Sequence, residues 1–272
     1  MKGKNICYPS KDSFPSISIT GDECHFSCTH CNRKYLKFML HVTQDDLYQK
    51  SIELEKRGAK GLLISGGLDE SGKVPIDYSI LKKIKNDTNL IINLHSGLLK
   101  RNDAKKIMES GIDAVSLDFV GSDDTIKNIL KMPFKVSDYE DTLRFLIEEG
   151  VNFIPHICVG LDLGTIVGEY NAIQILKKYP IKSLTLLVLI KNELEKTGSI
   201  NYDVHAIKDF FIYTRKSFPD AKLSLGCMRP RIKELDETAI LFDNIVNPSK
   251  NMIKLIKNEY NIVVKDICCS VC

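Results

Sequence analysis

Three cysteines near the N-terminus have a spacing that suits an iron–sulfur cluster. Cys24, Cys28 and Cys31 follow the pattern C-x3-C-x2-C and come directly after a short apolar run at residues 17–20. Three thiolates can bind three irons of a [4Fe–4S] cube, whereas ordinary electron-transfer clusters take four cysteines. A metal site that lacks one protein ligand stays open to a substrate, as catalytic zinc sites do. The spacing therefore predicts a reactive cluster.

A second group of cysteines lies at the other end of the chain. Cys268, Cys269 and Cys272 are all within the last five residues, and chain ends are usually too loosely ordered for thiols to serve only in packing. A fully ligated cube needs a fourth ligand, for which Cys7 and Cys227 are the candidates. We predict an auxiliary [4Fe–4S] cluster held by Cys268, Cys269, Cys272 and Cys7, with Cys227 as the alternative to Cys7. Zinc at the same thiols is the other interpretation.

Length, charge and hydropathy narrow the class of protein. The chain has 272 residues, 43% of them hydrophobic, which is enough for one α/β barrel. With 38 basic and 35 acidic residues, no surface for nucleic acid or an anionic membrane is predicted. No apolar run approaches the roughly 20 residues of a membrane span, and the N-terminus lacks the apolar core of a signal peptide. We expect a cytoplasmic protein, in which nine cysteines suit metal binding better than disulfides.

Alternating strand and helix patterns must position these cysteines. Strands are predicted at residues 17–20, 61–65, 90–96, 112–119, 151–159, 181–190, 221–226 and 243–246, with helices between them. This pattern predicts an α/β fold with a parallel sheet closed into a (β/α)8 TIM-type barrel; an open doubly wound sheet is the rival. Residues 1–272 should form a single domain, with residues 1–15 as an N-terminal extension and residues 261–272 as a cysteine-rich tail.

The tail is predicted to return to the catalytic end of the barrel. The last barrel helix should finish at the opposite end, but residues 261–267 form an extended-looking run. Such a run spans about 23 Å at roughly 3.3 Å per residue. That length is enough to bring the tail cysteines back along the barrel wall.

Polar and glycine residues follow the predicted strands, where barrels carry their chemistry. Those at the ends of the second to fifth strands are Ser65, Gly66, Gly67, His95, Ser96, Ser116, Asp118, His156 and Cys158. Cys158 is predicted to be a small residue of the hydrophobic core. His156 would lie on the same face of that strand. After the seventh strand comes Arg229, whose guanidinium suits a carboxylate or another anion. A surface arginine is the alternative.

The cysteine loop, the glycine pair at residues 66–67 and the segment at residues 164–169 together resemble the radical S-adenosylmethionine (SAM) superfamily. The resemblance extends over essentially the whole chain. Within the superfamily, residues 28–36, 95–98 and 226–230 are similar to archaeal homologues of biotin synthase. Members of that group act as subunits of a two-component lipoyl synthase.

The resemblance implies roles for individual residues. Cys24, Cys28 and Cys31 would hold the cube, and SAM would bind its fourth iron. The implied SAM-binding residues are Ser65, Gly66, Gly67, His95, Ser96, Asp118 and Leu189, with Ile190 beside Leu189 at the adenine. Arg229 is the candidate catalytic residue. His30 stands before the last cysteine, where the family usually has a carbocyclic aromatic residue, and its imidazole can still pack against adenine.

The resemblance also implies a reaction. A 5′-deoxyadenosyl radical from SAM would remove hydrogen from an octanoyl chain on a lipoyl carrier protein (an H protein or a lipoyl domain). The auxiliary cluster would donate the sulfur. Expected partners are this carrier, a second radical SAM subunit and an electron donor such as ferredoxin. The alternatives are biotin-type thiolation of a small molecule, and a non-catalytic iron–sulfur or zinc module. Methylthiolation of tRNA is disfavoured because no basic appended domain is present.

Overall fold

The computed structural model describes residues 3–190 and 202–272, apart from the side chain of Cys269. Its described residues form one parallel sheet of eleven strands. The strands are β1 (Gly3–Cys7), β2 (Ser16–Ser18), β3 (Leu40–His41), β4 (Gly61–Ser65), β5 (Ile91–His95), β6 (Ala114–Asp118), β7 (Phe153–Val159), β8 (Ser183–Val188), β9 (Lys222–Leu225), β10 (Asn244–Val246) and β11 (Asn261–Lys265).

Helices connect most of these strands and cover the outer face of the sheet. The α-helices are α1 (Gln44–Lys56), α2 (Tyr78–Asp87), α3 (Arg101–Ser110), α4 (Asp123–Thr125), α5 (Val136–Glu148), α6 (Glu169–Leu176), α7 (Val204–Ser217) and α8 (Lys250–Ile256). A π-helix spans Ile126–Leu130, and 3-10 helices span Leu36–Phe38, Lys233–Leu241 and Cys269–Val271. No described helix is long and apolar enough to cross a membrane.

The sheet curls into a half-barrel, which confirms the predicted parallel α/β barrel class and shows an open form of it. Its strand order is β11-β1-β10-β9-β8-β7-β6-β5-β4-β2-β3. Closure would require β1 to pair with β2. However, β1 already has β10 and β11 on its two edges, and β2 has β3 and β4. The barrel is therefore open because short additional strands occupy the edges that would close it.

Both chain ends contribute to this additional pairing. Residues 3–7, inside the predicted N-terminal extension, form β1, and the extended run of the tail forms β11 beside it. The parallel register pairs Gly3 with Asn261 and Cys7 with Lys265. The remainder of the tail (residues 266–272) consequently begins at the carboxyl edge of the sheet, as the sequence predicts.

The two faces of the sheet differ in polarity. On the outer face, residues such as Leu62 and Ile92 are fully buried under the helices. The inner face, here called the lumen, carries a polar layer because cross-strand pairing aligns polar residues of neighbouring strands. This layer comprises Asn5, Asn244, Ser224, Thr185, His156 and Asp118. Hydrogen bonds of 2.8 and 2.9 Å join Asn5 to Asn244 and Asn244 to Ser224.

Candidate active site at the carboxyl edge of the sheet

The cysteine loop is held by the loop that follows β4. The Leu68 N–H donates a hydrogen bond to Cys24 Sγ at 3.3 Å, and the Gly67 N–H donates to Thr20 Oγ1 at 2.7 Å. In the opposite direction, the His25 N–H donates to the Leu68 carbonyl at 2.8 Å. These bonds orient Cys24 and give its sulfur a donor that stabilises the thiolate.

Gly67 is required by the closeness of these two loops. A Cβ at this position would lie 1.9 Å from the Glu23 carbonyl oxygen and 2.6 Å from Cys24 Cα. No side chain fits at such distances, so only glycine allows the contact. The neighbour that the Gly67 backbone meets in this structure is the cysteine loop. Contact of Gly66 and Gly67 with SAM stays a prediction.

The three loop thiols are electrostatically coupled. Burial, together with the nearby Cys31 and Cys24, raises the pKa of Cys28 to about 12, and burial raises the pKa of Cys31. Without a metal, Cys28 and Cys31 are therefore thiols, whereas iron binds thiolates. A cationic metal centre between the three sulfurs would reverse this preference, and binding would release protons.

His30 provides a test of whether the loop fits a cluster with bound SAM. Its Nδ1 is buried and has no hydrogen-bond partner among the described residues. Burial also lowers the pKa of His30, with Asp118 opposing the shift. Because buried polar nitrogens normally have a partner, this orphaned atom indicates a polar ligand beside the cysteine loop. The loop residues thus fit the implied cofactor pair.

His95, Asp118 and His156 converge in the lumen next to the cysteine loop. His95 Nε2 lies 3.4 Å from His156 Nδ1 and 3.8 Å from Asp118 Oδ1, and the carboxylate is 3.9 Å from His156 Nδ1. Burial, reinforced by His95, lowers the pKa of His156 to about 3, so its imidazole is neutral. Such a trio can hydrogen-bond a ribose diol, and its atoms are also close enough to share one metal ion.

Strand register explains how the trio forms. Asp118 pairs with His156 across β6 and β7, while His95 pairs with Ser116 across β5 and β6. The structure thereby brings together two predicted SAM-binding residues, His95 and Asp118. His156 had no assigned role in the sequence; its period-2 relation to Cys158 signals only that both share a face of β7.

Three other predicted SAM-binding residues form hydrogen bonds within the protein. Ser96 is buried, and its hydroxyl donates to the neighbouring Gly97 carbonyl at 3.0 Å. The backbone of Leu189 is bonded to Val159 and to the Tyr202 hydroxyl, at 2.9 and 2.8 Å. Ser65 ends β4, and its carbonyl accepts from the Ile19 N–H at 2.9 Å. Their contacts with SAM stay predictions.

Glu169, the last residue of the segment at residues 164–169, organises the loop at residues 160–167. Its buried carboxylate accepts backbone N–H bonds from Gly160, Leu161 and Val167 at 2.7, 3.3 and 2.8 Å. Burial raises the pKa of Glu169, and these bonds oppose the shift. The carboxylate therefore shapes the loop after β7 through its backbone.

Arg229, the candidate catalytic residue, is buried, so the alternative of a surface arginine is wrong. Its side chain is 5% exposed and donates to the Gly226 carbonyl and, at 3.1 Å, to the Asn247 carbonyl. Both acceptors are backbone groups of loops that follow β9 and β10. Its catalytic role stays a prediction.

Members of the second cysteine group lie together, but two of them form a disulfide, which the sequence did not predict. Cys7, at the end of β1, and Cys272 form a disulfide with a Cα–Cα distance of 6.6 Å. Cys227 and Cys268 pack against the same spot, so both candidates for the fourth ligand lie there. The side chain of Cys269 is outside the described residues. Binding of a cluster by Cys7 and Cys272 would require the reduced pair.

The tail also enters the lumen. Ser270 Oγ lies 2.7 Å from Ser116 Oγ and 3.0 Å from His156 Nε2. Asn93 Nδ2 approaches Cys268 Sγ at 3.7 Å. The tail therefore connects the second cysteine group to the His95–Asp118–His156 trio. Nothing in the local sequence around Ser270 predicts this contact.

The family model of the radical SAM superfamily matches residues 18–165. The chain therefore belongs to the radical SAM superfamily. No curated protein matches the sequence significantly.

Solved structures share the fold at low sequence identity. Methylornithine synthase (PylB) is 14% identical with a TM-score of 0.61, covering 98% of this chain and 73% of that one. The FeFe-hydrogenase maturase HydG from Carboxydothermus hydrogenoformans is 16% identical with a TM-score of 0.66, covering 96% and 68%. SuiB from Streptococcus suis, bound to S-adenosylmethionine, is 11% identical with a TM-score of 0.58, covering 97% and 59%. These likenesses concern the fold.

Proposed function

We propose that this chain is a sulfur-inserting radical SAM enzyme, a lipoyl synthase subunit that thiolates an octanoyl chain on a lipoyl carrier protein. When bound, the cluster and SAM would supply a 5′-deoxyadenosyl radical that removes hydrogen from the substrate. Cys24, Cys28 and Cys31 would hold that cluster. His95 and Asp118 would orient the ribose, and the neutral His156 would keep the trio free of a buried positive charge.

The observation that carries the proposal is the position of the second cysteine group. Parallel pairing of β1 with β11 places Cys7 and the tail at the carboxyl edge of the sheet, the edge from which the Cys24–Cys31 loop also leaves β2. Ser270 then links the tail to His156 at 3.0 Å. A sulfur source on the tail would therefore face the same lumen as the radical. Electron transfer alone would not need this arrangement.

The polarity of the lumen favours a second candidate, thiolation of a small polar molecule. Thr185 Oγ1 is buried in this layer and has no partner among the described residues. An aliphatic chain would leave such a hydroxyl unsatisfied, at a cost of about 1–3 kcal/mol. A substrate with a hydroxyl, carbonyl or amine could satisfy it.

Mass spectrometry can separate these candidates. The full chain, reconstituted anaerobically, would be incubated with SAM, reductant and an octanoylated carrier peptide, with and without partner proteins. The proposal predicts 5′-deoxyadenosine release and a peptide that gains one sulfur. Release without sulfur on the peptide would favour the small-molecule candidate, and no release would favour a non-catalytic module.

Cysteine variants test the source of the sulfur. We expect about eight irons per chain with both clusters present. Cys268→Ala should lower this to about four and abolish sulfur insertion while 5′-deoxyadenosine release continues. Cys28→Ala should abolish both reactions. Comparing Cys7→Ala with Cys227→Ala would identify the fourth ligand, and zinc in place of the second set of irons would contradict the proposal.

A further inference from the structure

A cavity of about 280 Å³ lies between the ends of β8 and β9, helices α7 and α8, and the 3-10 helix at Lys233–Leu241. Leu225, one of its lining residues, follows Ser224, whose side chain belongs to the lumen layer. Successive residues of a strand point to opposite faces, so Leu225 faces away from the lumen. The cavity therefore lies on the opposite face of the sheet from the His95–Asp118–His156 trio, and Arg229 is the one candidate active-site residue that lines it.

The wall of this cavity is mainly apolar. It is formed by Val188, Phe211, Leu225, Ile232, Leu235 and Met252. Of these, Phe211 and Leu225 are each 1% exposed and Met252 is 3% exposed. Since water occupies about 30 Å³ per molecule in the liquid, the volume suits a ligand of roughly ten non-hydrogen atoms.

Two guanidinium groups meet at one side of the cavity. Arg229 Nη2 and Arg231 Nη1 both donate to the carbonyl oxygen of Asn247, at 3.1 and 2.6 Å. Lys233 adds a third cation to the lining. Among the described residues neither arginine forms an ion pair with a carboxylate. Burial and the positive charge of Arg231 lower the pKa of Arg229 to about 10. The surroundings of Arg229 therefore disfavour the positive charge on its guanidinium group.

One carboxylate, that of Asp236, also lines the cavity, but its Oδ2 accepts a hydrogen bond from Ser249 Oγ at 2.8 Å. The lining therefore has three cations against one anion. Of the three cations only Arg229 is buried, and its guanidinium donates to backbone carbonyl oxygens. Arg231 and Lys233 are exposed at the mouth of the cavity, where their excess positive charge attracts an anion.

We propose that this cavity binds an aliphatic carboxylate, with its head group at the cationic side and its chain against the apolar wall. Guanidinium groups bind carboxylates through paired hydrogen bonds. A small inorganic anion has no apolar part to pack against the wall, so it would be a poorer ligand than an aliphatic carboxylate. This inference is independent of the sulfur-insertion proposal.

Isothermal titration of the anaerobically reconstituted full chain with octanoate tests the site, with octanol, acetate and octyl phosphate as comparison ligands. We expect saturable binding of octanoate, at least tenfold weaker binding of acetate and octanol, and no advantage for octyl phosphate. Arg231→Gln should weaken octanoate binding about tenfold or more, because a hydrogen bond to a charged group is lost. Lys222→Gln, which removes an exposed cation of β9 that does not line the cavity, is the charge-matched control.

The inference would be overturned if octanoate showed no saturable binding at millimolar concentration. It would also be overturned if Arg231→Gln and Lys222→Gln lost octanoate affinity to the same extent. Preference for octyl phosphate would overturn the assignment of the ligand class. Release of 5′-deoxyadenosine by Arg231→Gln should equal that of the unaltered protein. A failure of octanoate binding with normal release would thus leave the proposed function standing.

Discussion

The hydroxyl of Ser270 lies 3.0 Å from Nε2 of His156, so the tail is bonded to the middle of β7. The same hydroxyl contacts Ser116 Oγ at 2.7 Å. The other ring nitrogen of His156, Nδ1, faces His95 at 3.4 Å and Asp118 at 3.9 Å. The tail thereby positions a group of the candidate active site.

Ser270→Ala should destabilise the protein by about 1–3 kcal/mol, because it leaves His156 Nε2 buried without this hydrogen-bond partner. Chemical unfolding of the apoprotein measures this change. Ser137→Ala, at an exposed position of α5, serves as the control and should be close to neutral. Equal stability of the two variants would show that the tail does not hold His156.

His156 should make the fold sensitive to acid. Its folded pKa of about 3 lies below the ordinary imidazole pKa of 6.5, so between these two values mainly the unfolded chain binds the proton. Above pH 6.5 the titration of His156 does not lower the free energy of unfolding. Below that pH the free energy of unfolding falls by about 1.4 kcal/mol per pH unit as the pH decreases toward 3. Between pH 7 and pH 5 the loss should be on the order of 2 kcal/mol.

His156→Gln removes this titration and should lack that part of the pH dependence. Urea unfolding of both proteins at pH 7 and pH 5 gives the comparison. Parallel loss of stability in the two proteins would mean that His156 is not held neutral.

Gly67→Ala should prevent assembly of the cluster on the Cys24–Cys31 loop. The added Cβ would lie 1.9 Å from the Glu23 carbonyl oxygen, so the two loops must separate. Iron and sulfide analysis after reconstitution should show a loss of about four irons per chain. In Gly3→Ala the nearest atom is 3.9 Å away, and this variant should retain its iron. Full iron content in Gly67→Ala would contradict the proposed packing of the loops.

Oxidation of the apoprotein should block only the second cluster. Cys7 and Cys272 form a disulfide, and a disulfide cannot supply the thiolates that bind iron. Apoprotein oxidised before reconstitution should take up about four irons and reduced apoprotein about eight. In Cys7→Ser, which cannot form this bond, prior oxidation should not change the iron content. Insensitivity of the unaltered protein to oxidation would remove Cys7 and Cys272 from the ligand set.

Local patterns in the sequence determined the superfamily and the class of fold. The C-x3-C-x2-C spacing requires only a short loop, so its meaning does not depend on distant residues. Alternation of apolar strands with helices is likewise local, and it predicts a parallel α/β sheet. The extended run at residues 261–267 predicts the return of the tail, and its strand β11 confirms this.

Only the tertiary structure decided how distant segments meet. The barrel stays open because β11 and β3 occupy edges of β1 and β2, a choice that no single strand sequence encodes. The His95–Asp118–His156 trio depends on the register of three strands, where a shift by one residue would turn each side chain to the other face. The contact of Ser270 with His156 joins residues 114 positions apart, and long-range contacts of this kind leave no periodic pattern in the sequence.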